Sequence, residues 1–172
     1  MATTCGMLRA VAQTSNSPGE VLARVNEALS ARIPPNMFVT CFYAILEPGS
    51  GHLLYANAGH DLPYLRRGSD AVELRARGMP LGLGSAMSYE EGEDSLDEGD
   101  GVLFYSDGVV EAHNPNREMF GFPRLRALIA EHDMERSLEN FLLERLYSFT
   151  GEGWEQEDDI TLVMLRCSAS RR

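Results

Sequence analysis

The sequence predicts an α+β domain in which two packed, mainly antiparallel β-sheets are flanked by helices on the outside. Two helical patterns come first, a long run of strand patterns follows, and two further helical patterns precede one last strand. Because several strands are apolar on both faces, their sheets need cover on each side, and the helices can supply it. No internal repeat interrupts this order.

The composition is that of a globular domain and argues against two kinds of partner. With 172 residues, of which 44% are hydrophobic, the chain can bury a substantial core as a single domain. Its 15 basic and 26 acidic residues give a formal charge of −11, which argues against nucleic acid and against an anionic membrane as partners. The sequence has no apolar run of transmembrane length and no signal-peptide pattern. Its three cysteines form no CxxC pair, so we expect no disulfide framework, no zinc site and a cytoplasmic location.

Two amphipathic helices are predicted at the N-terminal end. The first covers residues 1–12 and has its apolar residues on one side, although no capping residue precedes it. The second begins at the capping box Ser17-Pro18-Gly19-Glu20, which places a serine hydroxyl and a glutamate where they satisfy backbone N–H groups. Pro34-Pro35 is expected to end this helix, because proline restricts the residue before it to an extended conformation.

Strand patterns begin after Met37. The segment Phe38–Leu46 is rich in β-branched and aromatic residues, and Glu47–Ser50 carries the proline and glycine of a tight turn. The segment Gly51–Asn57 is therefore expected to return as a hairpin partner. Further extended segments are predicted at Pro63–Arg66, Val72–Leu74, Ser88–Leu96 and Val102–Tyr105.

The C-terminal part is predicted to contain two helices and a strand. One helix follows Pro123, and a longer one is capped by Ser137. The apolar run Ile160–Leu165 is the last strand. We expect one domain over residues 1–166 and a disordered tail over residues 167–172, since the tail is small and polar.

Aspartates stand at the ends of two strands that are predicted to be buried. Asp107 follows Val102–Tyr105, and Asp158 precedes Ile160–Leu165. If the two strands are antiparallel neighbours, the end of the first lies beside the start of the second, and the two carboxylates converge. Converging carboxylates are suitable ligands for a hard cation such as Mg²⁺ or Mn²⁺.

Simpler explanations exist for each of these residues. The sequence Ser106-Asp107-Gly108 is often only a turn in which the aspartate accepts a backbone hydrogen bond, and Asp158-Asp159 in an acidic chain is usually a solvated pair. Gly108 and Asp159 are expected to lie beside a metal only if the strands pair as described. Glu111 lies near the same end, where capping of a short helix explains it equally well.

Three residues in loops or at strand ends are candidates for a switch or loop role: Asn57, His60 and Gly82. The segment from Asn57 to His60 breaks a strand, and a histidine in such a place is more often a turn residue than a catalytic acid. Gly82 lies in a glycine-rich loop, where a purely conformational role is also expected. No catalytic side chain is assigned from the sequence.

Five segments carry a pattern when they are taken together. They are Met37–Thr40, Tyr55–His60, Pro80–Leu83, Gly99–Ala112 and Asp158–Val163. In this order and at this spacing, the chain from Met1 to Arg166 resembles the SpoIIE/RsbU-type bacterial phosphatases, which belong to the PPM (protein phosphatase 2C-like) superfamily. Each segment alone is a weak signal, and the resemblance rests on their succession.

The resemblance implies an α-β-β-α four-layer sandwich with two Mn²⁺ or Mg²⁺ ions at one end, and hydrolysis of phosphoserine or phosphothreonine on a protein. Asp107 matches the metal-ligand aspartate of the family's Ser-Asp-Gly motif. Asp158 matches the aspartate of the closing motif, and Asp159 stands where many relatives carry asparagine. The implied substrate is a phosphorylated STAS-domain anti-anti-sigma factor, whose dephosphorylation releases a sigma factor through partner switching.

The resemblance also implies how such a domain is regulated. The first two helices match a pair that acts as a regulatory switch in this subgroup. An upstream sensor domain and a homodimer are further expectations that come from the resemblance alone.

One family motif has no counterpart in the chain. The family carries Asp-x-x-Gly-x-Gly/His upstream of its first switch helix, with an aspartate that bridges the two metal ions, and here no aspartate is followed three places later by glycine. Together with the uncapped first helix, this absence predicts a domain without its N-terminal strands and a chain that is nearly inactive by itself. The alternative function is that of a catalytically dead fragment that binds a phosphoprotein or acts as a regulatory module.

Overall fold

The computed structural model describes residues 2–34, 36–133, 136–151, 153–154 and 158–168. The helices and strands in these ranges are α1 (Ala2–Ala12), α2 (Pro18–Ser30), β1 (Cys41–Glu47), β2 (His52–Ala58), β3 (Tyr64–Arg67), β4 (Asp70–Glu73), β5 (Glu91–Ser95), β6 (Gly101–Tyr105), α3 (Asp107–Val110), α4 (Gly121–Glu131), α5 (Leu138–Thr150) and β7 (Leu162–Arg166). They divide into two compact units. The first unit comprises the described residues of Met1–Leu62 and Arg75–Leu96, and the second those of Pro63–Leu74 and Asp97–Arg172.

Helix α2 begins at the predicted capping box. The Ser17 backbone is extended, and its hydroxyl accepts a hydrogen bond from the backbone N–H of Glu20 (3.1 Å). Glu91 of β5 adds a second cap, because its carboxylate accepts from the backbone N–H of Gly19 (2.7 Å) and from the Ser17 hydroxyl. A carboxylate at this position also opposes the positive end of the helix dipole. The helix ends at Ser30, short of the predicted stop at Pro34-Pro35, and Pro35 lies outside the described residues.

The sheet of the first unit has the antiparallel order β1-β2-β5. The predicted hairpin is present, with Cys41 opposite Ala58 and Glu47 opposite His52. Strand β1 starts later than the predicted Phe38, because Val39 instead forms an isolated bridge to Leu81. Helix α2 packs on this sheet through the buried residues Val21, Leu22, Val25 and Leu29, which meet Ala56, Ala58, Leu81 and Tyr89. Burial of each such leucine or valine side chain stabilises the folded state by about 1.5–3 kcal/mol.

The sheet of the second unit has the antiparallel order β4-β3-β6-β7. Its core joins β3 and β6 to all three helices of this unit, and its largest fully buried side chains are Tyr64, Leu103, Leu125, Ile129, Leu138 and Leu142. Helix α4 starts at Gly121 and so includes Pro123 in its first turn, where a missing N–H costs no helical hydrogen bond. The α+β class with two antiparallel sheets and helices is therefore confirmed.

The C-terminal end continues the pairing of β7 by one residue. The Cys167 N–H donates to the Asp100 carbonyl (2.9 Å), and the Cys167 carbonyl accepts from Gly99 (3.0 Å). Residues 169–172 of the predicted tail lie outside the described residues, and the domain boundary at Arg166 stays a prediction. In the described part of the chain, no helix has the length and apolar character needed to cross a bilayer.

Arg66 is a buried cation that caps the C-terminal end of α4. It lies on β3 and is 6% exposed, and its Nε donates to the carbonyl of Ile129 (3.0 Å). The same guanidinium also donates to the carbonyl of His132. A cation at this position satisfies carbonyls that have no partner within the helix and opposes the negative end of the helix dipole.

His132, at the end of α4, is buried without hydrogen bonds to its ring. Its side chain packs beside Phe141, and neither ring nitrogen has a partner among the described residues. Burial lowers the pKa of His132; Asp133 opposes this shift, whereas Arg66 adds to it. The folded state therefore favours the neutral imidazole.

We expect acid to destabilise the protein through His132. A histidine whose pKa is lower in the folded state binds its proton mainly after unfolding, so the free energy of unfolding falls as the pH drops below about 6.5, the usual value for an unfolded chain. His132→Phe should make chemical denaturation less dependent on pH between about pH 7.5 and 5.5. The control is His52→Phe at a histidine whose side chain is 42% exposed. A wild-type pH dependence in His132→Phe would contradict this account.

Candidate active site

The pairing of β6 with β7 brings Asp107 and Asp158 to the same end of one sheet. The two strands are antiparallel, and Tyr105 at the end of β6 lies opposite Leu162 at the start of β7. Asp107 follows β6, and Asp158 precedes β7, so both lie just beyond this last pair. Both residues are exposed. The adjacency on which the predicted cation site depends is therefore present, whereas the metal role itself stays a prediction.

Ser106 joins the segment before β7 to the end of β6 by hydrogen bonds. Its hydroxyl donates to the carbonyl of Asp159 (2.8 Å) and accepts from the N–H of Thr161 (2.9 Å). Its own N–H donates to the carbonyl of Thr161 (3.1 Å). The sequence gives no sign of this role, because a serine before a short helix is normally its cap.

Gly108 lies where no side chain fits. A Cβ atom at this position would lie 2.7 Å from the carbonyl oxygen of Asp159 and 3.3 Å from that of Asp158. The first turn of α3 is therefore in close contact with the backbone of Asp158 and Asp159. Asp107 accepts from the N–H of Gly108 (3.0 Å), and Asp158 accepts from the N–H of Asp159 (2.7 Å), so each carboxylate is oriented by its own turn.

A cavity of about 130 Å³ lies beside these residues in the second unit. It is lined by Gly108, Glu111, Ala112, Trp154 and Asp158. One water occupies about 30 Å³ in the liquid, so the cavity has room for a cation and a few waters. The sequence left Glu111 open between this site and helix capping. Trp154 was not anticipated, since it lies in an acidic segment without hydrophobic periodicity.

The donor set fits Mg²⁺ or Mn²⁺ in kind. Carboxylate oxygens are the ligands that these hard cations prefer. Within the described ranges, no three His, Cys, Asp or Glu side chains are grouped closely enough to hold a metal ion. The assignment of Asp107 and Asp158 as metal ligands stays a prediction.

Asn57 and His60 form a turn in the first unit. Asn57 is 5% exposed; its amide donates to the His60 carbonyl (2.9 Å) and accepts from the His60 N–H (2.9 Å). The ring Nδ1 of His60 lies 3.3 Å from the hydroxyl of Thr40. These contacts are those of a turn histidine, and a switch or loop role for His60 stays a prediction.

Gly82 is tied to α2 by the buried side chain of Asn26. The backbone at Gly82 has φ +92°, and its N–H donates to the Asn26 Oδ1 (2.8 Å). The amide of Asn26 donates in turn to the carbonyl of Gly84 (2.8 Å), which also accepts from Ser30. Asn26 is 0% exposed and follows Leu22 by one helical turn on the apolar face of α2. A polar residue on the apolar face of a helix is the sequence signal that could have identified Asn26.

Comparisons with known proteins identify the class of domain. Residues 1–168 match the family model of stage II sporulation protein E (SpoIIE). Solved structures of PP2C-type phosphatase domains share the fold. The chain belongs to the SpoIIE family.

The sequence relatives are longer proteins. The chain is 30% identical over 161 residues to phosphoserine phosphatase RsbU of Bacillus subtilis (strain 168). This aligned region covers 90% of this chain and 46% of that protein. The RsbU and RsbW domains of Rv1364c from Mycobacterium tuberculosis superpose with a TM-score of 0.79 and 26% identity, over 99% of this chain and 49% of that one. The Mn-presoaked phosphatase domain of SpoIIE from Bacillus subtilis gives a TM-score of 0.69 and 18% identity, over 98% of this chain and 74% of that one.

Gly108→Ala should destabilise the second unit by about 1–3 kcal/mol, because the added methyl meets backbone atoms that cannot rotate away. The measurement is the free energy of unfolding from chemical denaturation. Gly49→Ala is the matched control, since a methyl group there meets open space. Equal stability of the two variants would show that α3 and the Asp158–Asp159 backbone are not in close contact.

Asn26→Ala should cost about 1–3 kcal/mol, because the N–H of Gly82 loses its acceptor in a buried place. Asn140→Ala, at an exposed position of α5, makes the same change where no such bond is lost. Hydrogen exchange of the Gly82 amide is the local readout and should accelerate only in Asn26→Ala. Unchanged exchange in that variant would contradict the assigned contact.

Proposed function

We propose that this chain is a metal-dependent serine/threonine phosphoprotein phosphatase domain in which Asp107 and Asp158 bind Mn²⁺ or Mg²⁺. The observation that carries the proposal is the antiparallel pairing of β6 with β7, which places both carboxylates at one end of the sheet. Membership of the SpoIIE family and the similarity to phosphoserine phosphatase RsbU support the same activity. The family resemblance implies two such ions.

Metal-dependent hydrolysis of a phosphate monoester needs a site that binds divalent cations. Phosphate monoesters hydrolyse extremely slowly without a catalyst. When bound, divalent cations supply an activated water and screen the charge on the phosphoryl oxygens. The chain itself holds the backbone around Asp107 and Asp158 in place through Ser106 and Gly108, beside the cavity that Glu111 and Asp158 line.

The proposed substrate is a phosphorylated STAS-domain anti-anti-sigma factor in the cytoplasm. The family resemblance implies this substrate and a role in sigma-factor partner switching, and the similarity to phosphoserine phosphatase RsbU supports phosphoserine as the group that is hydrolysed. The net charge of −11 is consistent with a protein substrate and disfavours nucleic acid. Helices α1 and α2 are the proposed regulatory switch, and the bond network of Asn26 would couple α2 to the loop at Gly82.

A second candidate is a module that binds the phosphoprotein without turnover. The observation that favours it is that no three His, Cys, Asp or Glu side chains in the described part of the chain are grouped closely enough to hold a metal ion. Binding of a phosphoprotein without release of phosphate would distinguish this function from the first.

Asp107→Asn should abolish whatever Mn²⁺-dependent release of phosphate the wild type retains with a phosphoserine protein, because the amide cannot supply the negative charge that holds the cation. The variant should also lose the rise in melting temperature that Mn²⁺ gives to the wild type. Asp70→Asn, at an exposed position of β4 in the same unit, is the matched control and should behave like the wild type.

Two outcomes would count against the phosphatase. Equal Mn²⁺-induced shifts in the wild type and Asp107→Asn would show that the metal ligands are misassigned. A normal shift and firm binding of the phosphoprotein, but no phosphate release in any variant, would favour the binding module.

A further inference from the structure

We infer that Ser106 is a positioning residue for the proposed metal site, and that its hydroxyl holds Asp158 at a fixed spacing from Asp107. The inference rests on the proposed function and goes beyond it, since Ser106 does not itself need to contact a metal or a substrate. It follows from three hydrogen bonds that join one residue to both sides of a short segment.

The regular ladder between β6 and β7 ends one residue before Ser106. The last strand pair is Tyr105 opposite Leu162. Beyond it, the N–H of Ser106 still donates to the carbonyl of Thr161 (3.1 Å), and the Ser106 hydroxyl then takes over as donor to Asp159 (2.8 Å) and as acceptor from Thr161 (2.9 Å). The side chain thus acts as a further rung of the ladder, reaching the residue next to Asp158.

A hydroxyl suits this position for a chemical reason. One small atom must donate a hydrogen bond and accept another, which serine and threonine can do and alanine cannot. Ser106 also stands at the N-cap position of α3, where a serine normally accepts a bond from the helix. Here the side chain makes no capping bond. Its hydroxyl is used on the aspartate segment instead of on the helix.

Because the backbone is closely packed at Gly108, the spacing between Asp107 and Asp158 is sensitive to the hydrogen bonds of Ser106. The backbone of Asp158 and Asp159 lies against α3 with no room for a Cβ atom. Gly108 follows Asp107 in the sequence, and Ser106, which precedes Asp107, binds the same backbone through its hydroxyl. Because the groups it binds lie at an exposed edge, water can replace it when it is lost, and the main effect should fall on the geometry of the carboxylates.

The test compares the Mn²⁺ affinity of four proteins at a temperature well below unfolding. They are the wild type, Ser106→Ala, Ser106→Thr and Ser148→Ala. The amplitude of the electron paramagnetic resonance signal of free Mn²⁺ gives the dissociation constant. Ser106→Ala should raise this constant by about 10-fold or more, as is typical for residues that orient metal ligands.

The other two variants are controls for the hydroxyl. Ser106→Thr keeps the hydroxyl on an extended backbone that suits a β-branched residue, and it should retain the wild-type affinity. Ser148→Ala removes a hydroxyl that donates to the Glu144 carbonyl of its own helix (2.9 Å) and should also leave the affinity unchanged. Fluorescence of Trp154, the one tryptophan of the chain, locates the bound ion, since it lines the cavity with Asp158.

The outcomes separate this inference from the proposed function. Equal affinities of Ser106→Ala and Ser106→Thr would overturn the positioning role, because the hydroxyl would then not matter. Failure of the wild type itself to bind Mn²⁺ would instead overturn the proposed metal site, and the role of Ser106 with it. If Ser106→Ala does not fold, Ser106→Cys makes the same comparison with a weaker donor and acceptor, and an undiminished affinity in that variant would overturn the inference.

Discussion

The antiparallel register of β6 with β7 is the constraint on which the candidate site depends. Each strand alone carries its aspartate at a different place in the sequence, far apart along the chain. Pairing Tyr105 with Leu162 brings those places together, and a slip of one residue would turn the side chains of β7 to the opposite face. The register is fixed by the burial of Leu103 on one strand and by the packing of Met164 on the other.

Features that depend on residues close together in the sequence could be predicted from the sequence alone. The capping box at Ser17 and the hairpin turn at Glu47–Ser50 are local signals, and both are found as expected. The convergence of Asp107 and Asp158 needed one assumption, the pairing of two distant strands, which apolar runs suggest but cannot prove. The fold class followed from the order of these elements.

Other features could not be predicted because their partners are distant in the sequence. Arg66 would normally be placed on the surface of a strand, and only the end of α4 makes its burial favourable. The role of the Ser106 hydroxyl depends on a carbonyl more than fifty positions away. The late start of β1 reflects a competing bridge from Val39 to Leu81, which no pattern within 38–46 reveals.

The two edges of the first sheet differ in how they meet solvent. Strand β5 has the sequence Glu-Gly-Glu-Asp-Ser, and its charges repel any strand that approaches, while Glu91 also caps α2. Strand β1, at the opposite edge, has the sequence Cys-Phe-Tyr-Ala-Ile-Leu-Glu, with its apolar residues only half-buried, and no strand among the described residues pairs with its outer side. Of the two edges, β1 is therefore the one that carries less protection by charge against the addition of another strand, since Glu47 at its end is its single charged residue.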